Sequence, residues 1–128
     1  MAKVLVIDDD PAICRMINRA LSDAGHRVIE ATDGRQGLRI FQSDAPDIII
    51  TDIVMPNQEG IQTIREIRAT GSKVIIVAIS GGGGGDDGSL YLTIAEELGA
   101  DVVLQKPFRI SELVAIVDRM LSRGPAAD

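Results

Sequence analysis

The sequence predicts an α/β domain in which five strand-helix units form a doubly wound parallel sheet with strand order 2-1-3-4-5. Three observations lead to this. Apolar runs of strand length recur five times, at Lys3–Ile7, Arg27–Ala31, Asp47–Thr51, Lys73–Ile79 and Asp101–Leu104. The intervals between them carry apolar residues at helical spacing, so strand and helix alternate along the whole chain. Strands one, three and four are almost wholly apolar, as strands covered on both faces must be, whereas the second is mixed and suits an edge. Right-handed crossovers then leave 2-1-3-4-5 as the simplest order that keeps strands one, three and four together.

The first helix is expected to begin near Pro11, a residue favoured at the first helical position. It should run to Asp23-Ala24-Gly25, where Gly25 supplies a left-handed stop. The second helix is placed at Arg35–Gln42, the third at Gln58–Thr70 with Gly71 closing it, and the fourth at Ser89–Leu98 with Gly99 closing it. The fifth starts after Phe108, with Ser111 as its cap, and ends near Ser122. The expected architecture is a flavodoxin-like (βα)5 three-layer sandwich: one domain over residues 1–122 and a short flexible tail over 123–128.

Composition narrows the function classes. A chain of 128 residues with 45% hydrophobic content and a mean hydropathy of +0.17 can bury one real core but not two. Its 13 basic against 19 acidic residues give a net charge of -6 with no basic cluster, which argues against direct nucleic-acid binding. No apolar run reaches the roughly 20 residues of a membrane span, and the N-terminus opens on a strand where a signal peptide would carry a charged and apolar lead. A cytoplasmic protein without a membrane partner is expected. The single cysteine, Cys14, falls among Ile13, Ile17 and Leu21 of an amphipathic helix and reads as a small core residue. Aromatics are confined to Phe41, Tyr91 and Phe108, so Ile, Val, Leu and Ala must pack the core.

Four clusters place polar chemistry just beyond the predicted strands: Ile7-Asp8-Asp9-Asp10, Thr51-Asp52, Ile79-Ser80 and Gln105-Lys106-Pro107. A parallel sheet gathers all four at one edge, and ligands of such sheets bind there, at the switch point between strands one and three. Each cluster alone is ordinary, since acidic caps, turn serines and solvated lysines are common. Together they differ. Three carboxylates in one cleft repel and raise at least one pKa unless a cation neutralises them, and Mg2+ (or Mn2+) is the hard ion suited to such oxygens. Lys106 adds a positive charge for Asp52 or an incoming phosphoryl group, and Ser80 offers a hydroxyl donor. Phosphoryl transfer needs mainly positioning and charge neutralisation, so the set reads as a phosphoryl-accepting site with Asp52 as nucleophile.

With these residues in order on five βα units, the chain resembles the receiver domains of two-component response regulators over essentially its whole length. The matching residues are Asp8 and Asp9, Asp52 of Thr-Asp-Ile-Val-Met-Pro, Ser80, and Lys106 of Lys-Pro-Phe. The resemblance implies a phosphoprotein, either a stand-alone regulator or a domain excised from a longer chain, whose Asp52 takes phosphate from a histidine kinase or histidine phosphotransfer protein. It implies Mg2+ held by Asp9, Asp52 and the backbone carbonyl of Val54, with Asp8 acting through water and Lys106 contacting the phosphoryl group. It also implies a cis peptide at Lys106–Pro107, no enzymatic role beyond assisting its own phosphorylation and dephosphorylation, and a protein target met through the face from helix four to helix five. Val54 and Gly82 flank the expected approach of water, and so bear on the lifetime of the phosphate. Because the chain ends shortly after the fifth helix, no output domain is expected.

Two departures from the family stand out. Val103 occupies the position of the usual aromatic switch residue and cannot reproduce its rotation. The run Gly81–Gly85 is costly to order, at on the order of 1–2 kcal/mol per residue, so a mobile loop is expected. It lacks the lysine and hydroxyl of a nucleotide-binding P-loop. The sharper reading is that phosphorylation draws in Ser80 and orders this loop, with the amides of Gly81 and Gly82 facing phosphate oxygens as glycine-rich nests do. Tyr91 on the fourth helix is either a partner contact or a packing residue. His26 reads as structural, and Glu96, Glu97, Arg109, Glu112, Asp118 and Arg119 as solvated faces. Two other readings compete with this one. One is a haloacid-dehalogenase-type phosphohydrolase with Asp8 as nucleophile and Asp10 as acid/base, and the other is a receiver-like module that is never phosphorylated.

Overall fold

The computed structural model describes residues 2–53, 59–81, 93 and 96–123. In chain order the elements are β1 (Lys3–Ile7), α1 (Pro11–Asp23), β2 (Arg27–Ala31), α2 (Gly34–Asp44), β3 (Ile48–Asp52), α3 (Glu59–Ala69), β4 (Ile75–Gly81), a helical segment α4 described over 96–98, β5 (Val102–Lys106) and α5 (Ile110–Arg123). The five strands form one parallel sheet in the order β2-β1-β3-β4-β5. This is the expected order, and its apolar strands β1, β3 and β4 are central.

Strand alternation divides the core into two layers. Val4 and Val6, Ile48 and Ile50, and Val77 and Ile79 face one side, where Cys14, Ile17 and Leu21 of α1 meet Leu113 and Val117 of α5. Leu5 and Ile7, Ile49, and Ile76 and Ala78 face the other, packed by Leu38 and Phe41 of α2 and Ile64 and Ile67 of α3. Cys14 is fully buried and unpaired, as expected, and its thiol donates to the Asp8 carbonyl at 3.4 Å. Burial pushes that thiol up to about 11.

Helix ends follow local chemistry. Gly25, Gly71 and Gly99 take left-handed φ values of 97°, 84° and 112°, closing α1, α3 and α4 as expected. Ser111 is not the cap of α5; it lies inside the helix. Arg109 holds the cap position, and its N–H donates to Glu112 Oε1 at 3.1 Å, which is one half of a capping box. Asp33 caps α2, accepting from the Gln36 N–H at 2.7 Å. The expected strand ends fall short on the functional side: pairing continues through Asp52 opposite Ile79, Ser80 opposite Gln105 and Gly81 opposite Lys106. Asp52, Ser80 and Lys106 are therefore held within ladders, whereas Asp8 and Asp9 lie just beyond β1. Val54, Gly82 to Gly85, Tyr91, most of the expected fourth helix and the tail from residue 124 lie outside the described residues.

Candidate functional site

Alternation also places the functional side chains. Asp8 continues the series Val4, Val6; Asp52 continues Ile48, Ile50; Lys106 continues Val102, Leu104, so all three emerge on the α1 and α5 side. Their mutual approach follows. Carboxylate oxygens of Asp8, Asp9 and Asp52 lie within 4.8 Å of one another. Lys106 Nζ sits 3.3 Å from Asp52 Oδ2 and 4.0 Å from Asp8 Oδ2. Asp8 and Asp52 are buried, at 2% and 5% exposure, whereas Asp9 faces solvent.

Asp8 shows the electrostatic cost of the arrangement. Burial raises its carboxyl from 3.8 to about 6; the Asp10 N–H donating to Oδ1 at 2.9 Å and the Lys106 charge oppose this, and the neighbouring Asp52 and Asp9 charges add to it. Its Oδ2 is buried with no hydrogen-bond partner among the described residues. An under-satisfied oxygen beside two further carboxylates is what a hard divalent cation requires, so the donor set fits Mg2+. Asp10 plays a different part. Its Oδ1 caps α1, accepting from the Ala12 N–H at 2.9 Å, and it stands outside the metal-competent group. The acid/base role that the phosphohydrolase reading gives Asp10 has no geometric support.

Ser80 is fully buried, and its Oγ has no partner among the described residues. It continues the series Ile76, Ala78 and so belongs to the sheet face opposite Asp52. Val103 lies on that same face, paired with Ala78 and half-buried in the α2 and α3 layer. The Lys106–Pro107 peptide is cis. His26 is remote from the acids, its Nε2 2.8 Å from Asp118 Oδ1, which agrees with a structural role. Asp118 thus binds across the chain and is more than a solvated surface charge. Two contributors have no role that the sequence reveals. Thr51 Oγ1 donates to the Asp52 carbonyl at 3.1 Å, and Gly60 of α3 abuts the same carbonyl. An isolated glycine in the first turn of a helix is the signal that could have found Gly60.

Known proteins agree with this geometry. Residues 4–118 match the response regulator receiver domain. The response regulator MprA of Mycolicibacterium vanbaalenii is 35% identical over 126 residues, spanning 98% of this chain but 53% of that relative. The chain thus spans about half the length of the curated relatives it matches. Among solved structures, the receiver domain of the Francisella response regulator 1452 superposes with a TM-score of 0.86 at 28% identity, covering 96% of this chain and 98% of the other. A response regulator receiver domain protein from Clostridium thermocellum gives a TM-score of 0.86 at 30% identity, with 96% of each chain covered. The chemotaxis protein CheY4 of Vibrio cholerae gives 0.81 at 30% identity, covering 93% of this chain and 98% of that one. A doubly wound sheet with this acid cluster and lysine at its carboxyl edge, matched over 4–118, makes the chain a member of the response regulator receiver domain family of two-component signalling.

Proposed function

We propose that the chain is a phosphoacceptor: Asp52 takes a phosphoryl group from a histidine kinase or histidine phosphotransfer protein, and the change is relayed to a protein target. The observation that carries this is the buried Asp52 carboxylate held 3.3 Å from Lys106 Nζ beside the Asp8 and Asp9 oxygens. In the transfer, an Asp52 oxygen bonds to phosphorus while the phosphorus–nitrogen bond to the donor imidazole breaks, its electron pair staying on nitrogen. Asp9, Asp52 and the Val54 carbonyl would hold Mg2+, with Asp8 acting through water. When bound, the ion neutralises carboxylate and phosphoryl charge. Lys106 stabilises the equatorial oxygens, and its backbone is held in the β4 ladder opposite Gly81.

Relay begins with Ser80. Its hydroxyl, without a partner among the described residues, gains an acceptor once a phosphoryl oxygen stands on Asp52, which favours movement across the sheet edge. Valine at position 103 leaves no aromatic ring to rotate, so the signal passes to Gly81 and Gly82 and onward to the surface from α4 to α5. A small acyl phosphate supplied with Mg2+ tests the reading. The chain should gain one phosphoryl mass that hydroxylamine removes and that a chelator prevents. No mass gain, or a gain indifferent to the chelator, contradicts it.

A further inference from the structure

We propose that Gly60 and Thr51 are positioning residues for the acceptor, holding the main-chain carbonyl of Asp52 between them. The inference rests on the phosphoacceptor reading and deepens it. Asp52 is the last residue of β3, and Ile53 N–H donates to Ile79 O at 2.9 Å, which holds the amide side of the Asp52–Ile53 peptide. The carbonyl side of that peptide sets how the Asp52 backbone, and with it the carboxylate, is oriented. Two contacts fix it. Thr51, fully buried, donates its hydroxyl to the Asp52 carbonyl oxygen at 3.1 Å. From the α3 layer that Thr51 also faces, the first turn of α3 presents buried Gly60, where a Cβ would overlap that oxygen and stand 2.5 Å from Ile53 Cα and 3.0 Å from the Asp52 carbonyl carbon.

The close approach is of backbone to backbone, and that separates Gly60 from other glycines. At Gly37 of α2 an added Cβ would press on the end of the Ile7 side chain, with Cγ1 at 2.8 Å, which can turn aside. At Gly25 and Gly71 it would meet open space. At Gly60 only the β3 terminus or the α3 axis can yield. Movement of the β3 terminus displaces the Asp52 carboxylate relative to Lys106 on β5 and Asp8 beyond β1, whose own ladders stay in register. Glycine is a poor helix former, and its place in a first turn is explained by this seat.

The test compares Gly60→Ala and Thr51→Val with Ile67→Val, which trims a buried side chain at the other end of α3. Mn2+ affinity is measured by calorimetry on each folded chain, and phosphorylation rate with an acyl phosphate at saturating Mg2+. We expect Gly60→Ala and Thr51→Val each to weaken Mn2+ and slow phosphorylation about tenfold, as lost outer-shell contacts do, with Ile67→Val within about twofold of the parent chain. Thr51→Val adds no bulk, so it decides the matter alone if Gly60→Ala does not fold. Affinities within about twofold of the parent in the folded variants, or an equal loss in Ile67→Val, overturn the proposal. A parent chain that binds Mn2+ yet accepts no phosphoryl group contradicts the phosphoacceptor reading instead, and the affinities still decide this one.

Discussion

Lys106 Nζ stands 3.3 Å from Asp52 Oδ2, an ion pair formed across two strands that are not neighbours, because β4 lies between β3 and β5. Lysine at the end of β5 spans that gap, and at 30% side-chain exposure it keeps enough solvent access to meet an incoming group. Replacing it with methionine preserves most of the apolar stem and removes the charge. Lys106→Met should remain folded but accept a phosphoryl group on the order of 100-fold more slowly, the loss typical of one oxyanion-stabilising donor. A rate within about twofold of the parent chain would deny Lys106 that role.

Asp8 predicts an unusual pH dependence. Its folded pKa of about 6 lies above the 3.8 of an ordinary aspartate, chiefly through burial, so between those values the folded chain keeps a proton that the unfolded chain has lost. Stability of the metal-free protein should therefore fall as pH rises through this window, by on the order of 3 kcal/mol, and level off above about pH 7. Asp8→Asn removes the penalty. With chelator present it should melt higher than the parent chain near pH 7, with the difference vanishing below about pH 4. Thermal melts across that range check it, and a variant that melts lower near pH 7 contradicts it.

Ser80 carries a buried hydroxyl without a partner among the described residues, an arrangement that costs stability while the chain is unphosphorylated. Ser80→Ala should leave stability unchanged or raise it by about 1 kcal/mol. The same variant should lose the phosphorylation-dependent change in amide exchange across Gly81 to Leu92. Exchange that responds equally in parent and variant would show that the signal leaves by another route.

Asp10 separates the two phosphoryl chemistries open to an Asp-Asp-Asp run. Its carboxylate caps α1, so Asp10→Ala should cost about 1 kcal/mol of stability, read by urea titration, while phosphorylation persists. Loss of phosphorylation in a folded Asp10→Ala chain would point to an acid/base role.

Much of this was legible in the sequence, for a physical reason. A parallel sheet puts every strand's carboxyl end on one edge, so Asp8, Asp52 and Lys106 converge once the strand order is known, with Ser80 at the same edge on the other face, and apolar content reveals that order. The features that escaped are those set by long-range contact or by competition among neighbours. Asp10 next to Asp8 and Asp9 differs from them only in facing the α1 amides. Ser111 resembles a cap, yet Glu112 reaches back to Arg109 and the helix begins two residues sooner. Arg68 gathers the carbonyls of Gly99, Ser72 and Val74 and the Asp101 carboxylate, tying the end of α3 to both following strands, and no local pattern announces it. Gly60 acts through what it lacks, which only a neighbouring backbone reveals.

The central claim is that Asp52 is the acceptor. Intact-mass spectrometry of the parent, Asp52→Asn and Asp8→Asn chains after exposure to an acyl phosphate with Mg2+ tests it most directly. The account predicts one added phosphoryl group on the parent chain, none on Asp52→Asn, and slowed but surviving addition on Asp8→Asn. A phosphoryl group retained by Asp52→Asn and lost from Asp8→Asn would contradict it and move the nucleophile to the end of β1.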